Sequence, residues 1–383
     1  MGGPALALNG KTPMTDMFFY GTLCHPPLLA VVLGREAAAE PATLPSHAVH
    51  WAEGGAFPVL VAAEGGRATG VLVRGLSDQD VARLDYYEAG FAFDTRVLTV
   101  ETAEGGAPAL VYIPRAGQWQ PGAPWHLADW QARYGAEVTA TAGDVMALYG
   151  EKPAAAVLRR YPQMLVRGAA RVRAAVPAPA TLRHRAGPGD VALAARREPY
   201  AFFFSVEEYD LTHRRFDGDA SPQITRAAFL SGDAVTVLPY DPARDRVLVV
   251  EQFRAGPYAR GDANPWQIEA IAGRIDPGEA PEDAARREAV EEAGLALGAL
   301  LPVAGYYPSP GICAEFLYSY VAVCDLPDGL EGVFGVAGEA EDIRTHLMPF
   351  DDLMALVASG EAGNAPLILS ALWLQRERGR LRG

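Results

Sequence analysis

GRIDPGEAPEDAARREAVEEAGL, Gly273 to Leu295, joins a small apolar helix face to a ridge of carboxylates. Ala284, Ala285, Ala289 and Ala293 recur close to every three or four residues, Pro281 suits a first helical turn and Gly294 a left-handed stop. The stretch therefore predicts a helix from Pro281 to Ala293. Glu288 and Glu292 stand about one turn apart, with Glu291 beside them on the same side. All three crowd the C-terminal end, where the helix dipole already disfavours negative charge. Each like-charged pair at such spacing costs roughly a few tenths of a kcal/mol. A divalent cation removes the repulsion, because hard cations such as Mg²⁺ take oxygen ligands and are shared between a few carboxylates and the phosphates of a substrate. Arg287 offers one further counter-charge. A bare Glu-Glu pair usually marks a solvated helix face. Here the carboxylates come with Gly273, Glu279, Arg287, Gly294 and Leu295 at fixed distances, a combination that average composition would produce on the order of once in ten thousand chains.

That spacing resembles the Nudix box of the Nudix hydrolase superfamily, with Gly273, Glu279, Arg287, Glu288, Glu291, Glu292 and Gly294 on its fixed positions. The resemblance implies a loop-helix-loop on an α/β/α sandwich, hydrolysing a diphosphate linked to another moiety with Mg²⁺ or Mn²⁺.

The chain has 383 residues, more than one domain usually holds, so two domains with separate cores are expected. Its 33 Lys and Arg against 47 Asp and Glu give a net charge of −14, which argues against nucleic acid or an anionic membrane as main partner. An anionic substrate would need local arginines and a metal. No apolar run approaches a membrane span. Three scattered cysteines, Cys24, Cys313 and Cys324, lack metal-ligand spacing and fit a reducing compartment, so a cytoplasmic location is expected.

Residues up to about Asp16 are small, polar and Pro/Gly-bearing and read as a flexible leader. MFFYGTL, Met17 to Leu23, reads as an aromatic strand ending at Gly21, and LLAVVLG as a short helix. Strand-like runs start at Phe57, Ala68 and Phe93 and end with PALVYIP at Pro114, separated by EGG turns at Glu64 and Glu104. DQDVARLDYYE, Asp78 to Glu88, has helical spacing. Tyr20, Gly21, Thr22 and Leu23 followed by Leu84-Asp85-Tyr86-Tyr87-Glu88 resemble the gamma-glutamylcyclotransferase-like (AIG2-like) family. The resemblance implies a YGTL loop that presents backbone groups to a γ-glutamyl moiety, with Glu88 as the proton shuttle that forms 5-oxoproline. A carboxyl among Tyr86, Tyr87, Phe91 and Phe93 has its pKa raised by desolvation, which suits that task. From Trp125 to about Arg173 the chain turns helical; its arginines alternate with apolar residues as on a solvated amphipathic face.

The expected organisation is α+β: a small β-barrel-like domain over 15–175, a Pro/Gly-rich linker over 176–195, and a sandwich domain over 196–383 that carries an extra N-terminal antiparallel sheet. In the second domain FDG, GDAVTVLPYDP, VEQFR, PWQIEAIAG, PSPG, GEAEDI and NAPLILSALWLQ occur in order around the box. Together they resemble ADP-ribose pyrophosphatases, including the tellurite-resistance-like branch. The family implies hydrolysis of ADP-ribose to AMP and ribose 5-phosphate in a homodimer whose N-terminal strands help build the partner's site. Residue by residue, the resemblance makes Glu288, Glu292, the Ala272 carbonyl and Glu341 metal ligands. Glu339 becomes the general base, with Glu291 and Glu279 as alternatives, and Arg226, Arg254 and Arg274 contact the substrate. Ala227 follows Arg226 where the family usually has Glu, and the Arg254-to-Gly273 segment is about one residue longer. Another nucleoside-diphosphate sugar as substrate, cyclotransferase activity in the first domain, and a non-catalytic ADP-ribose sensor stand as alternatives.

Overall fold

The computed structural model describes residues 14–336, 338 and 341–383, in two compact units divided between Val176 and Pro177. The expected leader lies almost wholly outside the described residues, as does Glu339.

The first unit is a closed barrel of five strands. β1 (Thr15–Phe19), β2 (Ala39–Ala52), β3 (Pro58–Leu76), β4 (Phe93–Thr102) and β5 (Gly105–Pro114) follow the order β3-β1-β5-β4-β2, and β2 pairs back onto β3. A short β6 (Pro121–Pro124) extends the β2 edge. Alternation along β1 decides the two cores. Phe18 and Tyr20 pack with Leu44, Leu72 and Val111 inside the barrel. Met17 and Phe19 pack with helices α1 (Pro26–Leu33), α2 (Asp78–Glu88), α4 (Ala136–Met146) and α6 (Tyr161–Ala174). Between these helices lie α3 (Leu127–Trp130) and α5 (Ala154–Leu158). α2 spans the predicted residues because its start is written locally: the Ser77 hydroxyl accepts from the Asp80 N–H, and the Asp80 carboxylate accepts from the Ser77 N–H.

One expectation fails here, and one strand is not legible in the sequence. The turn at Glu64 is not a chain reversal; β3 runs through it, and the register steps from Pro45↔Arg67 to His47↔Ala62, so the EGG residues form a bulge, with Gly65 at φ +71°. β2 went unread because Pro41 and Pro45 look like strand breakers, yet each lies in the β2–β3 pairing.

The second unit opens with β7 (Val191–Ala201), β8 (Ser205–His213) and β9 (Ile224–Leu230), a separate three-stranded antiparallel sheet. β7 begins inside the stretch read as linker. The main sheet follows, with β10 (Ala234–Asp241), β11 (Arg246–Phe253), a short α7 (Ala255–Arg260), β12 (Trp266–Glu269), β13 (Ile271–Arg274), α8 (Pro281–Ala293), β14 (Ala299–Tyr306), β15 (Leu317–Val323), β16 (Val333–Phe334) and β17 (Ile343–Pro349). α9 (Phe350–Ser359) and α10 (Ala365–Arg382) complete it. The order is β14-β15-β10-β11-β17-β16, with β12 on β11 and β13 on β10, and the β10–β15 pair is parallel. Alternate residues of β10 and β11 serve opposite layers: Val235, Val237, Leu248 and Val250 pack toward α8, whereas Leu238, Tyr240, Val247 and Val249 pack toward α9 and α10. This is the α/β/α sandwich. α8 buries Ala284, Ala285, Ala289 and Ala293, so its backbone lies close over the sheet, and Gly294 closes it at φ +59°.

Candidate active site

In the second unit a cleft of about 740 Å³ is lined by Ala272, Gly273, Arg274, Glu288 and Glu291 from the β13–α8 region, together with Arg254, Glu269, Glu315, Glu341, Phe203 and Phe204. Gly273 is what lets β13 and α8 approach: a Cβ there would lie 1.8 Å from Glu288 Oε1. Glu288 also accepts from Arg287 at 2.6 Å. Arg287 ties the loop to the helix, donating at 3.0 and 2.9 Å to Glu279 and at 3.0 Å to the Arg274 carbonyl. Glu279 in turn accepts from the Asp276 N–H at 3.0 Å. It therefore holds the loop and is not among the residues lining the cleft. Glu292 is buried and accepts from the Ala272 N–H at 3.1 Å.

Burial pushes the Glu292 carboxyl up to about 8 against the pull of that N–H, and burial pushes Glu288 up to about 7 against the Arg287 guanidinium. Glu292 is buried and Glu288 half-buried, and a divalent cation would offset the cost of ionising both. Among the described residues no three His, Cys, Asp or Glu side chains enclose a cation by themselves.

Arg254 is positioned by Glu269, which accepts from it at 3.0 and 2.6 Å; Asn364 donates to the other Glu269 oxygen at 3.0 Å. The Arg274 guanidinium lies 4.1 Å from the centre of the Phe203 ring. Glu341 accepts from the Val336 N–H at 3.2 Å. Arg226 is not brought to this cleft; it is exposed on β9 and donates to the Thr225 carbonyl. Phe203, Phe204, Glu269, Glu315 and Asn364 were not singled out in the sequence. An aromatic run such as AFFFS reads only as strand, and nothing local distinguishes Glu269 or Glu315 from other acids.

In the first unit a cavity of about 290 Å³ is lined by Tyr20, Gly21, Thr22 and Leu23 on one stretch and by Glu88 at the end of α2. The structure thus brings together the two motifs that lie some sixty residues apart in sequence. Glu88 keeps surface open to the cavity but is otherwise enclosed, and that burial, reinforced by the Asp85 charge, pushes its carboxyl up to about 8. The Tyr20 hydroxyl is buried with no hydrogen-bond partner, and burial together with Glu88 raises its pKa, so it stays protonated.

A Nudix domain model matches residues 230–370, and a model described as gamma-glutamyl cyclotransferase, AIG2-like, matches residues 17–132. An ADP-ribose pyrophosphatase of Escherichia coli (strain K12) is 39% identical over 189 residues, which is 49% of this chain and 90% of that protein. The chain belongs to the Nudix hydrolases. A second ADP-ribose pyrophosphatase, from Haemophilus influenzae, is 32% identical over 188 residues, 49% of this chain and 86% of the relative. A GDP-mannose pyrophosphatase of Pectobacterium atrosepticum is 32% identical over 167 residues, 44% of this chain and 84% of the relative. The Nudix match falls in the second unit and the AIG2-like match in the first.

Proposed function

We propose that the Nudix unit hydrolyses ADP-ribose to AMP and ribose 5-phosphate. The observation that carries this reading is the convergence of Glu288, Arg254, Arg274 and Phe203 on one cleft, with Glu292 held on the N–H of the cleft residue Ala272, in a chain so similar to proteins named ADP-ribose pyrophosphatases. Water adds to one phosphorus, the bridging P–O bond breaks, and the two monophosphates leave. Glu288, Glu292, the Ala272 carbonyl and Glu341 would hold Mg²⁺ or Mn²⁺, which neutralises the diphosphate and lowers the pKa of bound water. Arg254, held rigid by Glu269, presents its guanidinium fork to a phosphate. Glu339 takes the proton from the attacking water; of the alternatives, Glu279 is committed to Arg287, and Glu291 shares Arg287 at 3.1 Å. Phe203 and Phe204 are the aromatic faces of the cleft and give a nucleobase its stacking surface.

Initial rates on ADP-ribose and GDP-mannose test the substrate, with ADP-ribose expected to give the higher kcat/KM; the reverse order would assign the cleft to another sugar nucleotide. Phe203→Ala should raise the KM for ADP-ribose about tenfold with little change in kcat, since a stacked base is worth roughly 1–3 kcal/mol. An unchanged KM would move the base elsewhere.

The Nudix unit is read as a homodimer. Val191, Leu193, Tyr200, Phe202 and Phe229 are large apolar side chains exposed on or beside the three-stranded sheet, which also carries Arg226 away from its own cleft. Sedimentation at micromolar concentration should give twice the chain mass; a monomer would leave Arg226 without a site. Among the described residues no helix is long and apolar enough to cross a membrane, and the three cysteines are free, as a cytoplasmic setting favours.

The first unit supports a second activity, cyclisation of a γ-glutamyl group to 5-oxoproline, because Glu88 faces the YGTL turn across one cavity. Its titration also has a stability signature. A carboxyl raised from 4.5 to about 8 in the folded state contributes stability that is complete below the unfolded value and is lost as pH rises through about 8. Glu88→Gln should therefore gain thermal stability over the parent as pH goes from 5 to 8.5, in melting curves of both proteins. Parallel pH profiles would show that Glu88 is not enclosed.

A further inference from the structure

The AIG2-like match ends at residue 132, yet the cavity it contains is completed by later helices: Val138 from α4 and Tyr161, Pro162 and Leu165 from α6. Among the lining residues there is no Lys, Arg or His, and Glu88 is the one carboxyl. The walls are largely aromatic. Phe91 sits at ring-centroid distances of 5.3 Å from Phe57 and 5.6 Å from Tyr161. At about 290 Å³ the cavity stands at the small end of ligand sites.

We propose that this cavity takes γ-glutamyl amides whose amine portion is apolar and carries no carboxylate, and that Tyr161, Pro162 and Leu165 set this preference. The proposal rests on the cyclotransferase reading of the first unit. In that reaction the α-amino nitrogen attacks the γ-carbonyl carbon and the C–N bond to the amine portion breaks. Glu88 relays the protons lost by the attacking nitrogen to the departing amine. 5-Oxoproline and the free amine result, with no further reactant. Within this proposal Glu88 takes the ammonium of the γ-glutamyl head, and backbone N–H groups of the Tyr20–Leu23 turn, which lines the cavity, would take its carboxylate. A carboxylate on the amine portion meets no cation in the lining, and burying it unpaired is strongly unfavourable. An apolar amine instead displaces water from Phe57, Phe91 and Leu165.

The full-length protein is assayed for 5-oxoproline release from γ-glutamyl-phenethylamide and γ-glutamyl-phenylalanine, which differ by one carboxylate, with Glu88→Gln as control. The amide is expected to have the higher kcat/KM by about 100-fold or more. Leu165→Arg, and independently Pro162→Lys at an exposed position, supply a cation and should narrow that gap about tenfold. Equal rates for the two compounds, or a gap unchanged in both variants with melting intact, overturn the specificity proposal while the cyclotransferase reading stands. Absence of 5-oxoproline from either compound sinks that reading and the proposal with it.

Discussion

Glu292→Gln is expected to lower kcat/KM for ADP-ribose by about 10³-fold while the protein keeps its fold. Glutamine has the same shape and its amide oxygen still accepts from the Ala272 N–H, so the contact between α8 and β13 survives. What is lost is the negative charge, at a buried position among the carboxylates assigned to the cation. Loss of that charge should show as weaker activation by Mg²⁺ as well as slower turnover. Glu361→Gln, an exposed change outside the cleft, serves as the control and should leave the rate as it is. Steady-state kinetics over a range of Mg²⁺ concentrations make the comparison, and full activity in Glu292→Gln would remove Glu292 from the site.

Gly273→Ala is expected to be nearly as damaging, for a steric reason. The added Cβ would stand 1.8 Å from Glu288 Oε1 and 1.9 Å from its Cδ. The strand has little room to retreat, because Val235 of β10 pairs with Gly273 and Thr236 with Ala272. The Glu288 carboxyl must therefore swing away from the cleft. A displacement of about 1 Å in a catalytic group is enough to cost roughly 10²-fold in rate. Overpacking of this kind destabilises by about 1–3 kcal/mol, which a folded domain tolerates. Melting and turnover measured on the same preparation separate the two effects: a small loss of stability with a large loss of rate is expected, and a normal rate would contradict the placement of Glu288.

The parts of the fold legible in the sequence are those written by local chemistry. α8 runs from Pro281 to Ala293 as predicted because Pro281 and Gly294 mark its ends and its alanines mark its buried face. α2 is as clear, through the Ser77 and Asp80 pair. β2 was hidden by its prolines, and β3 looked like two strands because a bulge and a turn use the same glycines. Glu288, Glu291 and Glu292 lie on one helix and could be read as a group. Their companions could not: Phe203 arrives from the connection between β7 and β8, Glu269 from the end of β12, and Glu315 from the segment before β15. Only topology brings these into one cleft. Arg226 shows the converse, a residue matched to a family position that its own chain turns away from the site. The pairing of Glu88 with the YGTL turn came from a family resemblance, and the cavity supplies the physical reason for it.

The most direct test of the central claim is to incubate the purified chain with ADP-ribose and Mg²⁺ and follow the products by chromatography beside Glu292→Gln. Equimolar AMP and ribose 5-phosphate, lost on chelation and in the variant, is the predicted result. ADP-ribose that binds in the presence of Mg²⁺ but is recovered intact would contradict the account and leave the Nudix unit as a sensor or as a hydrolase of a different diphosphate.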